Sequence, residues 1–243
     1  MIYELIITIN IIIMFTFLWD KKVNPKYKDP IIISIEGNIG VGKSTLINII
    51  SQLLKNNCEI IYEPVDLWLT ITDGEKNILQ LFYDDKKKWA FAFQMIAGLS
   101  IIENITKILK KTKNKYIFLD RSFLTTKYTF EKMLYDSGDI NEIEHTTYKL
   151  LCSHYENNIY KDYKHIHIYL KCDPEVSFER IKKRNRIEES NITLEYLTEL
   201  SKYHDEWLLK DNNVLVIDCN NNTLDNILWY KDILNDIKIK INS

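Results

Sequence analysis

Gly37-Asn38-Ile39-Gly40-Val41-Gly42-Lys43-Ser44-Thr45 is the stretch from which the rest of the chain can be read. It satisfies G-x-x-x-x-G-K-[ST] completely, follows the β-branched run Ile31 to Ile35 and precedes the amphipathic run Leu46 to Leu54. Strand, loop, helix is the context that separates a phosphate-binding loop from a chance glycine-rich turn. Glycines let the backbone aim several N–H groups at one anion, and the helix starting near Lys43 adds the positive end of its dipole. Lys43 then reaches the β- and γ-phosphates of a nucleoside triphosphate, and Ser44 holds Mg²⁺.

Downstream of the loop, Glu59 to Tyr62 reads as a second strand ending at Glu63-Pro64-Val65. A carboxylate there lies in the crevice where open α/β sheets bind ligands. Glu63 is a candidate general base; an acid favouring the dipole of the helix after Pro64 explains it equally well. A long helical stretch, Glu75 to Lys111 with a break at Asp84-Asp85, carries Trp89, Phe93, Ile96 and Ser100 at helical spacing. Gln94 interrupts that face, either as a core amide with its own partners or as a reader of a nucleobase edge. Lys115 to Leu119 is the third strand, ending in Asp120-Arg121-Ser122, where an acid can reach a loop-bound Mg²⁺ and the arginine can orient Glu63. Two helices follow, Phe123 to Tyr135 and Ile140 to Tyr160.

His165 to Leu170 alternates into a fourth strand, whose two histidines lack companions at metal-ligand spacing. Asp173-Pro174-Glu175 opens a helix with a capping acid and Pro at the first helical position. That helix carries Arg180, Lys182, Lys183, Arg184 and Arg186, then Glu188-Glu189. Such a face is either solvated and paired with those glutamates or, with a phosphate loop upstream, a lid that clamps a triphosphate and excludes water. Thr193 to Leu209 is a helix, Val214 to Ile217 a fifth strand and Leu224 to Ile239 a closing helix. Five apolar strands separated by helices predict an α/β fold, a parallel sheet with helices on both faces.

The 243 residues suffice for one sizeable α/β domain, expected over 31–243. With 27% charged residues of mixed sign and a net charge of −2, nothing points to nucleic acid as a partner. Cys58, Cys152, Cys172 and Cys219 show no C-x-x-C pairing, which fits a reducing, cytoplasmic setting. Residues 1–30 form an extension. Its apolar run Leu5 to Trp19 is short for a bilayer span of about 20 residues and lacks a basic start or a small-residue cleavage site. It is either a surface extension or an anchor that Lys21 and Lys22 would orient with the domain in the cytosol.

Taken together, these stretches resemble the deoxynucleoside kinases, the family of deoxycytidine, deoxyguanosine and mitochondrial thymidine kinases and the broad-specificity insect enzyme. The resemblance runs from Ile31 to the C-terminus. Its pieces are Gly37-Asn38-Ile39-Gly40, Glu63-Pro64-Val65 with Trp68, Tyr83, Trp89 through Phe93-Gln94, Asp120-Arg121-Ser122, and Arg184-Asn185-Arg186-Ile187-Glu188-Glu189. Tyr196-Leu197 and His204-Asp205-Glu206-Trp207-Leu208 complete them. The resemblance implies a P-loop NTPase-type three-layer fold with an Arg-rich lid, and ATP-Mg as donor to the 5′-hydroxyl of a deoxynucleoside in nucleotide salvage. It implies that Glu63 takes the hydroxyl proton with help from Arg121, that Tyr83 and Glu189 hold the sugar 3′-hydroxyl, and that Gln94 reads the base between Trp68, Phe93 and Phe130. Ser44 and Asp120 would position Mg²⁺, Arg180, Arg184 and Arg186 would form the lid, and a homodimer would be the assembly.

Departures from the family bear on substrate. The usual strand-end Glu is Asp120 here, one methylene shorter, which points to a metal contact through water. The Arg–Asp pair near the base in deoxycytidine and deoxyguanosine kinases corresponds to Ile101 and Thr126, leaving apolar room for a thymine methyl and implying a pyrimidine preference, thymidine foremost, then deoxycytidine. Ala97 leaves the slot depth open. A thymidylate kinase is the rival enzyme reading, and a nucleotide-binding module without chemistry the rival from another class.

Overall fold

The computed structural model describes residues 28–54, 57–186, 189–221 and 227–242. The apolar run at 5–19 and the lysines after it lie outside them, as do Ile187, Glu188 and the expected start of the closing helix at Leu224.

Five strands form one sheet in the order β2-β3-β1-β4-β5: β1 Lys28–Glu36, β2 Cys58–Ile61, β3 Tyr116–Asp120, β4 Tyr163–Lys171 and β5 Val214–Asp218. Every pairing in the sheet is parallel, so each connection must cross a sheet face, and the described residues supply ten α-helices, among them α2 (Val65–Thr70), with a π-helical and a 3₁₀ segment. β1 lies at the centre, with Ile35 opposite Asp120 of β3 and Glu36 opposite Tyr169 of β4. That register brings the phosphate loop and the acidic end of β3 to one edge of the sheet.

Strand alternation assigns the two layers. On one face Ile31, Ile33 and Ile35 pack with α1 (Lys43–Leu54) and α10 (Ile227–Asn242) through Leu46, Ile47, Ile50, Ile233 and Leu234. On the other, Ile32, Ile117 and Leu119 meet Ile101 and Ile105 of α4 (Lys86–Leu109) and Tyr148, Cys152 and Tyr155 of α7 (Glu142–Asn158). By the same alternation Ser34 and Glu36 belong to this second face, where Glu36 is a fully buried charge.

The helix boundaries follow local chemistry. The long helical stretch begins at α3 (Ile78–Asp84), capped by Asn77 and Gln80 in a reciprocal box, three residues later than the expected Glu75. It breaks at the expected place: Asp85 caps α4 by accepting from Lys88 N. After β3 the expected single helix is three pieces, α5 (Phe123–Thr125), a π-helical segment Thr126–Glu131 and α6 (Lys132–Asp136). Asp173 does not cap α8 (Pro174–Arg184) with its side chain; Pro174 at the first turn, with φ already set, is what favours the start. α9 (Leu194–Leu208) keeps nearly the expected bounds, and Thr193 caps it by accepting from Tyr196 N. His165 and His167 are interior strand residues, bonded to Tyr160 O and Ser34 Oγ.

Candidate active site

The loop after β1 is held in shape by contacts that exclude side chains. Gly37 has φ 135°, and a Cβ there would lie 2.4 Å from Leu170 O; Gly40 has φ 81°, and a Cβ would lie 2.7 Å from Ser177 O. Asn38, expected among the phosphate contacts, turns its side chain away instead: Nδ2 donates to Leu197 O and Oδ1 accepts from Ile39 N. It ties the loop to α9. Lys43 Nζ donates to Gly37 O (3.0 Å) and Asn38 O (2.8 Å). Burial, and then the neighbouring Arg121, lower the Lys43 ammonium to about 8.

A cavity of about 620 Å³ opens beside this loop. Ile39, Gly40, Lys43 and Ser44 line one end; Glu63, Asp120 and Arg121 lie at the centre; Trp68, Tyr83, Phe93, Gln94, Thr126 and Phe130 line the other; and Arg184, Arg186 and Glu189 line it as well. Sixteen expected site residues therefore meet in one place. Of the rest, Gly37, Asn38, Val41 and Gly42 shape the loop from behind, and Thr45 is exposed outside the cavity. Arg180 is not brought to the lid: its guanidinium lies behind the loop, donating to Val41 O (3.4 Å), Cys219 O (2.9 Å) and Asn221 O (3.2 Å). Although one turn from Arg184, it sits at the side of α8 that faces β5.

The end beside the phosphate loop is a compact set of charges. Arg121 Nε lies 3.4 Å from Glu63 Oε1, with the guanidinium carbon 4.6 Å over the Phe130 ring. Arg121 has φ 74°, a left-handed backbone that costs a non-glycine residue of order 1–3 kcal/mol. Burial raises the Glu63 carboxyl above its ordinary range more than Arg121 lowers it, with Asp120 adding to the rise. Ser44 Oγ donates to Asp120 Oδ2 at 2.8 Å, while Asp120 Oδ1 is buried with no protein partner. An orphaned carboxylate oxygen beside a hydroxyl, next to an anion cradle, is a hard oxygen donor set that suits Mg²⁺. The shorter acid reaches Ser44 directly.

At the other end Trp68 and Phe93 meet edge to face at 5.3 Å, and Trp68 Nε1 donates to Ser100 Oγ. Gln94 is 2% exposed with Oε1 unpartnered, so its acceptor is available inside the cavity it lines. Thr126 lines the slot but its hydroxyl donates to Phe123 O and lies 2.6 Å from Tyr148 Oη. Ile101 is buried on the sheet side of α4, outside the cavity lining. Where the lid is expected, Arg184 donates to both Glu189 oxygens at 2.6 Å, and Arg186 lies 3.8 Å from Glu189. Tyr83 lines the cavity, its hydroxyl pushed well above its ordinary value by burial and by Glu189. Tyr196, to which the motif reading gave no role, lines it too, with its hydroxyl buried and unpartnered.

Glu36 has no place in the sequence motifs, although it is a carboxylate closing the apolar run Ile31 to Ile35. Glu36 Oε1 accepts from Ser122 N at 3.1 Å and lies 3.6 Å from His167 Nδ1, and Oε2 accepts from Thr125 Oγ1. Burial opposes its charge, yet His167, Ser122 and Ser34 together hold it down at about 2.

Residues 33–242 match the family model described as deoxynucleoside kinase. Deoxycytidine kinase 2 of Gallus gallus is 32% identical over 238 residues, covering 85% of this chain and 88% of its own. Deoxycytidine kinase of Homo sapiens is 37% identical over 196 residues, covering 73% and 75%. The mitochondrial deoxyguanosine kinase of Xenopus laevis is 34% identical over 198 residues, covering 73% of each chain.

Proposed function

Because this chain belongs to the deoxynucleoside kinase family, ATP-dependent phosphorylation of deoxynucleosides is its reaction, and we propose that the acceptor it prefers is a pyrimidine deoxynucleoside, thymidine foremost with deoxycytidine also taken. The observation that carries the reaction chemistry is the pairing of Glu63 with Arg121 across from Lys43 in one cavity. Glu63 accepts the proton of the sugar 5′-hydroxyl, its raised affinity for protons suiting that role. Arg121 orients the carboxylate from a side braced by Phe130. Tyr83 and Glu189 hold the sugar 3′-hydroxyl. Lys43 and the loop N–H groups hold the donor phosphates, while Arg184 and Arg186 close over the transferred phosphoryl and keep water out. Ser44 and Asp120 hold Mg²⁺, which neutralises charge on the phosphates when bound.

Support for the pyrimidine comes from the slot. Trp68 and Phe93 give the slot an aromatic wall, and Gln94 offers an acceptor to a base edge. The Thr126 hydroxyl is committed to Phe123 O, so that wall brings no charge to an amino group and tolerates a methyl. A cytosolic salvage enzyme is part of the same proposal, in keeping with four buried free cysteines. So is a homodimer through the neighbouring helices α4 and α7, where Leu99, Ile143 and Leu150 are exposed.

A panel of the four deoxynucleosides and thymidine monophosphate, each with ATP-Mg, tests the reading. The expected order of kcat/KM is thymidine, then deoxycytidine, then the purines. Turnover of the monophosphate alone would overturn the acceptor class, and a purine at the head would overturn the base preference.

A further inference from the structure

Glu36 lies outside the cavity yet touches the segment on which two of its charges stand. Its carboxylate is fully buried beneath the turn Asp120-Arg121-Ser122, accepting from Ser122 N at 3.1 Å and from the Thr125 hydroxyl. Directly before those anchors sits Arg121, in a left-handed backbone with φ 74° and its own N–H bonded to Ile35 O at 3.1 Å, one residue before Glu36. A carboxylate taken from water into an apolar face is costly unless every oxygen is engaged. Here one oxygen holds the residue after Arg121 and the other the first turn of α5, so the chain leaving the strained residue is fixed by Glu36 while Ile35 O holds Arg121 N–H on the strand side. Glu36 also directly precedes Gly37, and His167 supports it from β4 at 3.6 Å. Position in the phosphate loop and orientation of the arginine are thereby set by one side chain.

We propose that Glu36 is a positioning residue for the transfer step, acting through the Asp120–Ser122 turn to hold the Arg121 guanidinium against Glu63. It does not touch substrate; it over-determines a backbone conformation that Arg121 would not keep alone. This rests on the assignment of Glu63 and Arg121 to the reaction. The amide of Glu36→Gln keeps the size of the side chain but replaces one of its two acceptors by a donor facing the Thr125 hydroxyl.

The test compares wild type, E36Q, R121A and the double variant, with kcat, KM for thymidine, the dissociation constant of ATP and backbone amide exchange over 120–126. E36Q is expected to lower kcat about 30-fold while ATP binding and KM change less than about threefold, to speed exchange in 120–126 at least tenfold, and to add less than a twofold loss of kcat in the R121A background. Thr125→Val, which removes one anchor without a new donor, is expected to show the same pattern at smaller size, and it serves where E36Q folds poorly. Equal losses of kcat with and without Arg121, or unchanged exchange in 120–126, would overturn the positioning role. If wild type phosphorylates only the monophosphate, the acceptor assignment falls, while the exchange measurement still decides whether Glu36 anchors the turn.

Discussion

Glu63 shows how one side chain carries two opposite influences. Burial lifts its proton affinity and Arg121, 3.4 Å away, reduces it, so the group ends above the ordinary carboxylate range but short of where burial alone would leave it. A base must be deprotonated to work, so kcat/KM is expected to climb with rising pH through that raised value and then level. Removing Arg121 takes away the lowering influence: in R121A the climb moves to higher pH while kcat falls at every pH. A pH–rate profile of both proteins checks the sign; an R121A limb that moves to lower pH contradicts it. At this scale the sequence was informative where chemistry has a spacing, as in Gly37 to Ser44 or Asp120-Arg121. It was uninformative for Glu36 and Arg180, whose roles depend on which strand end or helix side a neighbour occupies.

Among the elements, the loop and α8 are locked together by the absence of a side chain. Gly40 packs so closely on α8 that an added Cβ would meet Ser177 O at 2.7 Å and Ile181 Cγ1 at 2.8 Å. Its positive φ adds roughly 1–2 kcal/mol for a non-glycine residue, and overpacking against backbone adds about 1–3 kcal/mol more. Gly40→Ala is therefore expected to lower Tm by roughly 4–20 °C in a chain of this size and to weaken ATP binding; thermal unfolding with and without ATP measures both. An unchanged Tm would mean α8 yields easily. The strands and most helices were legible because apolar alternation and capping residues mark them. The π-helical Thr126–Glu131 was not, since its extra residue per turn leaves no gap in the pattern of Phe123, Thr126 and Phe130. It places Thr126 and Phe130 on the slot while Thr129 bonds Trp207.

For the whole molecule, the interior charge of Glu36 ties stability to acid. Its folded value of about 2 lies below the ordinary carboxylate value of about 4.3. The folded state thus binds fewer protons, and the stability this confers is complete above about pH 5 and drains away as pH falls through about 2. Glu63 acts with the reverse sign, because its raised value makes protonation easier in the folded state, so acid favours the fold through that group. Urea unfolding from pH 7 to pH 2 is expected to show a steeper acid loss in wild type than in E36Q, although E36Q starts from lower stability; parallel curves would remove Glu36 as a source of the acid limb. The order of strands in the sheet, unlike their number, could not be read along the chain, because parallel crossovers permit several orders. The placing of β1 between β3 and β4 explains how residues 43, 63 and 121 come to one cavity.

Single-turnover transfer from ATP to thymidine in Glu63→Gln isolates the role of the carboxylate, because the amide keeps the shape of the site and cannot take the proton. A loss of about 10²–10⁴-fold in rate, with the dissociation constant of ATP within about threefold of wild type, is the predicted result. Transfer at the wild-type rate would contradict the assignment of Glu63 as the base.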